Sequence, residues 1–104
     1  GAQKPHNLIH IVLNNAAHES VGGMPTVGDS VGLAAIARDC GYAFTASVSD
    51  KAALDETLNR ARRLQTLSFV EARCAVGARD DLGRPTTTPK ENKLAFMQKL
   101  RGGR

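Results

Sequence analysis

The residues best suited by type and position to bind a ligand are Asn14 and Asn15. This adjacent pair directly follows the mainly apolar run 8–13. A short run of branched residues without polar alternation predicts a strand buried on both faces, as in a parallel α/β sheet. Ligands of such sheets bind beyond the carboxyl ends of the strands. Two amides placed there, ahead of the turn at Gly22 and Gly23, can offer an oxygen to a hard cation and backbone N–H groups to a phosphate. The segment therefore predicts half of a metal–diphosphate site, although an Asn pair alone is also typical of a strand-ending turn.

Two blocks of the chain resemble a family of enzymes that use thiamine diphosphate. The segment 7–26 is similar to the second half of the thiamine-diphosphate motif, which opens with Gly-Asp-Gly and closes with Asn-Asn. The segment 77–93 resembles the C-terminal signature of the phosphonopyruvate decarboxylases and the related sulfopyruvate decarboxylases, and it is the more specific of the two blocks. The resemblance covers nearly the whole chain. It implies that residues 1–104 form the C-terminal part of a Rossmann-like, thiamine-diphosphate-binding domain.

The resemblance also implies a Mg²⁺ site. In this family the protein ligands are the Asp of Gly-Asp-Gly, the second Asn of Asn-Asn and the carbonyl oxygen two residues further on. Carried over, these roles fall on the side chain of Asn15 and the backbone of Ala17. The Asp has no counterpart, since none of the thirteen residues before Asn14 is acidic. Because the missing ligand is the charged one, we expect this chain alone to bind thiamine diphosphate weakly or not at all.

The residues after the Asn pair are predicted to meet the diphosphate through backbone N–H groups, if a short helical turn begins at Ala17. Gly22 would let the chain pass close to the ligand. His18 is the candidate catalytic residue: it could assist proton transfer, bind the diphosphate, or be an ordinary surface histidine. Glu19 is not the activating glutamate, which the family places on a separate pyrimidine-binding domain. The predicted cofactor-binding residues are Asn15, Ala17, His18, Glu19, Ser20, Val21 and Gly22.

Three further side chains could each have either a ligand-binding or a structural role. Arg79 and Arg84 flank the turn in the second block, and the planar guanidinium suits bidentate binding of a phosphonate. They are therefore candidates for binding the substrate, and they can equally hold the C-terminal block against the rest of the domain. His10 lies within the first apolar run, where a satisfied core or interface histidine is expected rather than a ligand.

The strands that must position these residues are predicted over 8–13, 42–48 and 67–76. Their alternation with helices implies an α/β fold with a parallel β-sheet and helices on both faces. The first strand, apolar on both faces, is expected to be central and to need a neighbour on each side. The chain is therefore interpreted as part of a larger domain, whose upstream Gly-Asp-Gly half is absent.

Helix starts are predicted from capping residues. Asp29 or Ser30 is expected to cap the first helix, whose apolar stripe is Leu33, Ile36, Ala37 and Cys40, and Asp50 to cap the second. Thr88 and Glu91 form a capping box at the third, with a proline at its first position. The third helix takes its predicted apolar face from Leu94, Met97 and Leu100.

Composition limits the remaining classes of function. The chain has 104 residues, 41% hydrophobic, and no apolar stretch approaches the roughly 20 residues of a membrane span. No apolar leader begins it, so a cytoplasmic location with reduced, buried Cys40 and Cys74 is expected. The net charge of +4 is dispersed and only four residues are aromatic, which argues against nucleic-acid binding.

The resemblance implies that the chain is a fragment of a thiamine-diphosphate- and Mg²⁺-dependent 2-oxo acid decarboxylase, a carboxy-lyase. Phosphonopyruvate is the expected substrate, and the isolated chain is expected to be inactive. Sulfopyruvate is the alternative substrate, and a non-catalytic Rossmann-like interaction module is the alternative class. The expected partners are the missing upstream part of the domain, a pyrimidine-binding domain, a small anionic 2-oxo acid, and further copies in a homo-oligomer.

Overall fold

A computed structural model describes residues 1–102, which form an α/β fold around a three-stranded parallel sheet. The strands of this sheet are β1 (Ile9–Asn14), β4 (Phe44–Val48) and β5 (Ser68–Arg73), in the order β1-β5-β4. The short strands β2 (Ala17–His18) and β3 (Met24–Pro25) form a separate antiparallel ribbon. The helices are α1 (Leu33–Asp39), α2 (Lys51–Leu64) and α3 (Pro89–Arg101). The predicted fold class is confirmed, whereas the ribbon was not predicted.

The core lies on β5, the middle strand of the described sheet, and a second neighbour for β1 stays a prediction. Val70 of β5 lies opposite Ile11 on one side and Ala46 on the other, and it is fully buried. β1 has one neighbour only in the described sheet, so Ile11 is 45% exposed and Leu13 is 74% exposed. An apolar run predicts a strand that can be covered on both faces, but it does not specify which strand lies next to which.

The helices lie on both faces of the sheet, as predicted. The connection from β1 to β4 passes over β5 in one direction, and the connection from β4 to β5 returns in the other, so two right-handed crossovers place α1 and α2 on opposite faces. Side chains agree with this arrangement. Arg60 of α2 lies over the ring of Phe44, 5.1 Å from its centroid, whereas Ile36 of α1 lines a cavity together with Phe69. Phe44 pairs with the residue before Phe69, so the two rings point to opposite faces.

Local capping signals placed two of the three helices correctly. The carboxylate of Asp50 accepts a hydrogen bond from the backbone N–H of Ala53 at 2.9 Å, at the start of α2. Thr88 and Glu91 form the predicted capping box, with Pro89 opening α3. Of α3, only Met97 is partly covered, so the predicted apolar face of this helix is largely exposed.

The predicted cap of α1 was wrong. Gly32 is the N-cap and offers no side-chain hydrogen bond. Asp29 instead lies in a 3₁₀ turn, Val27–Asp29, and its carboxylate pairs with Arg73. The hydroxyl of Ser30 donates to the carbonyl of Val27 at 3.1 Å. Both candidate caps therefore had other partners, one of them distant in sequence.

The boundaries and cysteines need smaller corrections. The first strand runs one residue later than predicted, the second begins at Phe44 rather than at residue 42, and the third ends at Arg73 rather than at residue 76.

Cys40 and Cys74 are free thiols, and both are exposed rather than buried. Within residues 1–102, no helix has the length and apolarity needed to cross a membrane.

Candidate functional site

The side chain of Asn14, at the end of β1, is buried and fully hydrogen-bonded within the protein. It is 9% exposed, and its Nδ2 donates to the carbonyl oxygen of Gly28 at 2.9 Å and to Oε1 of Glu71 at 2.7 Å. Its Oδ1 accepts the backbone N–H of Ala16 at 3.0 Å. Both amide protons are thus used, and the oxygen is turned toward the backbone. Asn14 joins three parts of the chain and is not presented to a ligand.

Asn15 has a more open environment. Its Oδ1 accepts the backbone N–H of Ala17 at 3.1 Å, and its Nδ2 donates to Oε2 of Glu19 at 2.6 Å. An amide oxygen has two lone pairs, so one hydrogen bond leaves acceptor capacity for a cation. The chain turns here through Ala16, which has a left-handed φ of 54°.

Ala17 carries the second predicted ligand, its carbonyl oxygen. It lies opposite Pro25 in the β2–β3 ribbon as a non-hydrogen-bonded pair, so its carbonyl points away from the partner strand. The neighbouring carbonyl, that of Ala16, is instead occupied by the N–H of Thr26 at 2.8 Å. Asn15 Oδ1 and the Ala17 carbonyl therefore lie in one turn, which we call the Asn15–Ala17 corner.

This corner fits half of a Mg²⁺ site. Two neutral oxygens are the type of ligand that Mg²⁺ accepts, but six are needed, and carboxylate or phosphate oxygens normally supply the charge. Within residues 1–102, no group of three or more His, Cys, Asp or Glu side chains is placed to hold a metal. An acidic ligand from another segment stays a prediction.

The segment predicted to meet a diphosphate begins differently from the expectation. Ala17 and His18 are extended, and the helical turn starts at Glu19 as the 3₁₀ segment Glu19–Val21. Gly22 and Gly23 close it with φ values of 87° and 71°, which favour glycine. His18, Ser20 and Val21 are all exposed. The backbone N–H groups at the start of this turn remain the predicted diphosphate contacts.

Glu19 connects the two blocks on which the resemblance rests. Its Oε2 accepts from Asn15, and its Oε1 accepts the backbone N–H of Gly77 at 2.7 Å. Gly77 begins the loop 77–88. One carboxylate thus ties the Asn15–Ala17 corner to the start of the second block, a contact that no local sequence pattern predicts.

The predicted substrate and core residues lie in varied surroundings. Arg79 is exposed and pairs within its own loop with Asp81, at 3.3 Å. Arg84 is exposed in the same loop. His10 is exposed rather than in the core, although its Nδ1 lies 3.1 Å from the hydroxyl of Tyr42 and its ring packs edge-on against Phe69. The anion-binding roles of the two arginines stay predictions.

The residue that sequence reasoning missed is Glu71. It is 3% exposed on β5, and its Oε2 accepts the hydroxyl of Ser47 on β4 at 2.8 Å while its Oε1 accepts from Asn14 on β1. One carboxylate thus spans all three strands of the sheet. The available signal was a single acidic residue within the otherwise largely apolar stretch 67–76.

Comparison with known proteins gives two related matches. The chain is 37% identical over 96 residues to a phosphonopyruvate decarboxylase of Streptomyces viridochromogenes, covering 92% of this chain and 24% of that protein. It is 32% identical over 97 residues to a phosphonopyruvate decarboxylase of Streptomyces hygroscopicus, covering 93% of this chain and 24% of that protein. No protein-family model matches the chain, and no solved structure matches it.

The matched region is nearly the whole of this chain but about a quarter of each relative. The resemblance inferred from the two sequence blocks is therefore confirmed. Over nearly all of its length, the chain is homologous to one region of the phosphonopyruvate decarboxylases.

Proposed function

We propose that this chain forms part of a thiamine-diphosphate- and Mg²⁺-dependent decarboxylase that converts phosphonopyruvate and a proton into phosphonoacetaldehyde and CO₂. The observation that carries the proposal is the match, over 92% of the chain, to a protein named for that activity. The position of the Asn15–Ala17 corner supports it, because ligands of parallel α/β sheets bind beyond the carboxyl ends of the strands.

The cofactor, when bound, supplies the electron sink for loss of CO₂. The residues of this chain hold it in place. Asn15 Oδ1 and the Ala17 carbonyl would coordinate Mg²⁺, and the backbone N–H groups of Glu19–Val21 would bind the diphosphate. Glu19 fixes the amide of Asn15 through the 2.6 Å hydrogen bond, so that Oδ1 faces away from the carboxylate. His18 is exposed beside this turn and is the candidate for proton transfer.

The same proposal includes partners. Ile11 and Leu13 of β1 are exposed at the edge of the sheet, and exposed apolar side chains of this size favour contact with further protein. We propose that they pack against an upstream segment that carries the missing acidic ligand. A pyrimidine-binding domain and further copies in a homo-oligomer would complete the enzyme, and a small anionic 2-oxo acid is its substrate.

The test is an assay of the complete gene product with phosphonopyruvate and, separately, sulfopyruvate, in the presence of Mg²⁺ and thiamine diphosphate. We expect phosphonoacetaldehyde from the first acid, and loss of activity in Asn15→Ala with little change in unfolding free energy. Preferred turnover of sulfopyruvate would reassign the substrate. No turnover and no cofactor binding would favour a non-catalytic module instead.

Two further measurements address particular residues. Isothermal titration of the 104-residue chain with Mg²⁺ and thiamine diphosphate should show no micromolar binding, since both predicted ligand atoms of the corner are neutral oxygens. Arg79→Ala and Arg84→Ala should raise KM for phosphonopyruvate if either guanidinium binds the phosphonate. An unchanged KM in both variants would assign the arginines to holding the loop.

A further inference from the structure

Glu71 is a buried carboxylate that the proposed chemistry does not use. It lies on the middle strand, with Oε1 2.7 Å from Nδ2 of Asn14 and Oε2 2.8 Å from Oγ of Ser47. Burying a carboxylate is costly unless its oxygens are hydrogen-bonded, and here both are. Its position therefore needs an explanation beyond sheet packing, for which an apolar residue would serve.

The effect of Glu71 on Asn14 is to select one of two amide orientations. Nδ2 of Asn14 faces two acceptors, Oε1 of Glu71 and the carbonyl oxygen of Gly28. An ionised carboxylate and a backbone carbonyl only accept hydrogen bonds, so a flipped amide would set its oxygen against both. The amide is therefore held with its nitrogen inward and its oxygen toward the backbone of Ala16.

This orientation shapes the turn that presents the predicted ligands. Ala16 has φ of 54°, a conformation that costs a residue with a Cβ free energy and that persists only where its surroundings hold it. The hydrogen bond from its N–H to Asn14 Oδ1, at 3.0 Å, is one such restraint. Asn15 and Ala17 lie on either side of Ala16, so their oxygens move with this turn.

We propose that Glu71 is a positioning residue for the cation site: by fixing the amide of Asn14, it holds the turn at Ala16 and thereby sets the Asn15–Ala17 corner. The cation part of this inference rests on the proposed function, whereas the hold on the turn does not. Glu71 itself touches neither of the two predicted ligand atoms through a hydrogen bond in the described residues; its effect passes through Asn14.

The experiment compares Glu71→Ala with the conservative Glu71→Gln in the complete gene product. Glutamine keeps an oxygen that can accept from Asn14, whereas alanine leaves that donor with Gly28 alone. Ser68→Ala is the matched control, because Ser68 is a fully buried polar residue on the same strand whose hydroxyl donates to Thr66, at 2.9 Å, outside this network.

The first readout is hydrogen exchange of the Ala16 amide in ¹⁵N-alanine-labelled protein without ligand. Loss of one restraining hydrogen bond corresponds to roughly a tenfold faster exchange, which we expect in Glu71→Ala. Glu71→Gln should remain within about threefold of the original protein. Ser68→Ala should change exchange of the Ala16 amide no more than it changes exchange of the amides in the strands.

The second readout is the Mg²⁺ concentration that half-saturates binding of thiamine diphosphate. We expect it to rise roughly tenfold in Glu71→Ala and to be restored in Glu71→Gln, because the corner is then held again. A purely structural Glu71 would lower unfolding stability without moving this value. Unchanged Mg²⁺ dependence in a folded Glu71→Ala variant would overturn the proposal, as would an Ala16 amide that stays protected.

Two outcomes separate this inference from the proposed function. If the original protein binds no Mg²⁺ and thiamine diphosphate, the proposed function fails, while faster Ala16 exchange in Glu71→Ala still supports the hold on the turn. If Glu71→Ala does not fold, Ser47→Ala takes its place, since it removes one of the two anchors of the carboxylate. A smaller rise in Ala16 exchange then supports the proposal, and unchanged exchange contradicts it.

Discussion

Replacement of Gly28 by alanine should displace Asn14 from its network. A Cβ at position 28 would lie 2.5 Å from Oδ1 of Asn14 and 3.0 Å from Oγ1 of Thr26. Real Cβ atoms essentially never show contacts under 3.0 Å, so either the side chain of Asn14 or the backbone at residue 28 must shift. Gly28 is not among the described glycines with positive φ, so the backbone itself can accept alanine. The cost therefore arises from the contact with Asn14.

The size of the cost follows from the bonds that would be lost. Asn14 cannot move its oxygen away from the new methyl group without turning its amide, because Nδ2 and Oδ1 belong to one plane. The bond from the Ala16 N–H is worth about 1 kcal/mol, and the bond to the Glu71 carboxylate about 1.5–3 kcal/mol. Loss of the first and weakening of the second predict a destabilisation of about 2–4 kcal/mol.

Urea unfolding measures this difference directly, with Gly83→Ala as the matched control. A Cβ at Gly83 would have no heavy atom within 4 Å, so its change should stay within about 0.5 kcal/mol. The reasoning is refuted if Gly28→Ala unfolds at the same urea concentration as the control. It is equally refuted if Gly28→Ala is destabilised but the Ala16 amide keeps its protection from exchange.

Two other predictions concern carboxylates and pH. Asn14→Asp would set a second carboxylate within hydrogen-bond distance of Glu71, and the two like charges would repel each other at neutral pH. Urea unfolding at neutral pH should therefore show a larger loss of stability in Asn14→Asp than in Asn14→Ala, and an equal loss would show that the two groups do not interact. Hydrogen bonds from the backbone N–H and then the hydroxyl of Thr88 hold the pKa of Glu91 below its usual 4.5. A carboxyl group whose pKa is lowered in the folded state stabilises that state at pH values above its unfolded pKa, and this stabilisation is lost as the pH falls. The first turn of α3 should therefore lose amide protection as the pH falls below 4.5, and Glu91→Gln should abolish that dependence.

The parts of the fold that sequence predicted are those fixed by neighbours along the chain. Asp50 caps α2, and Thr88 with Glu91 caps α3, because each cap and its N–H partner lie three residues apart. The order of the strands is not local. The apolar run of β1 predicted a strand that needs two neighbours, but it did not predict that β5, the last strand in sequence, pairs with both β1 and β4.

The contacts of the candidate site are likewise of two kinds, local ones that the sequence predicted and distant ones that it did not. The Asx-type contacts of Asn14 and Asn15 with N–H groups two residues ahead are local, and the sequence located this turn. The contacts that hold the turn are distant: Glu71 lies 57 residues from Asn14, and Gly77 lies 58 residues from Glu19. Asp29 failed as a predicted helix cap because Arg73, 44 residues away, competes for its carboxylate.

The two adjacent amides therefore have different tasks, although the sequence presents them as a pair. Asn14 is the last residue of β1 and points to the face on which Glu71 lies, so its donors are used in holding strands and loop together. Asn15 follows the strand, and within the described part of the chain its amide hydrogen-bonds its own turn and Glu19. A chain that must present one oxygen to a cation at a strand end also needs that end to stay fixed when the ion leaves. In the proposed site the buried amide would supply this rigidity and the outer amide would supply the ligand, so that neither asparagine could replace the other.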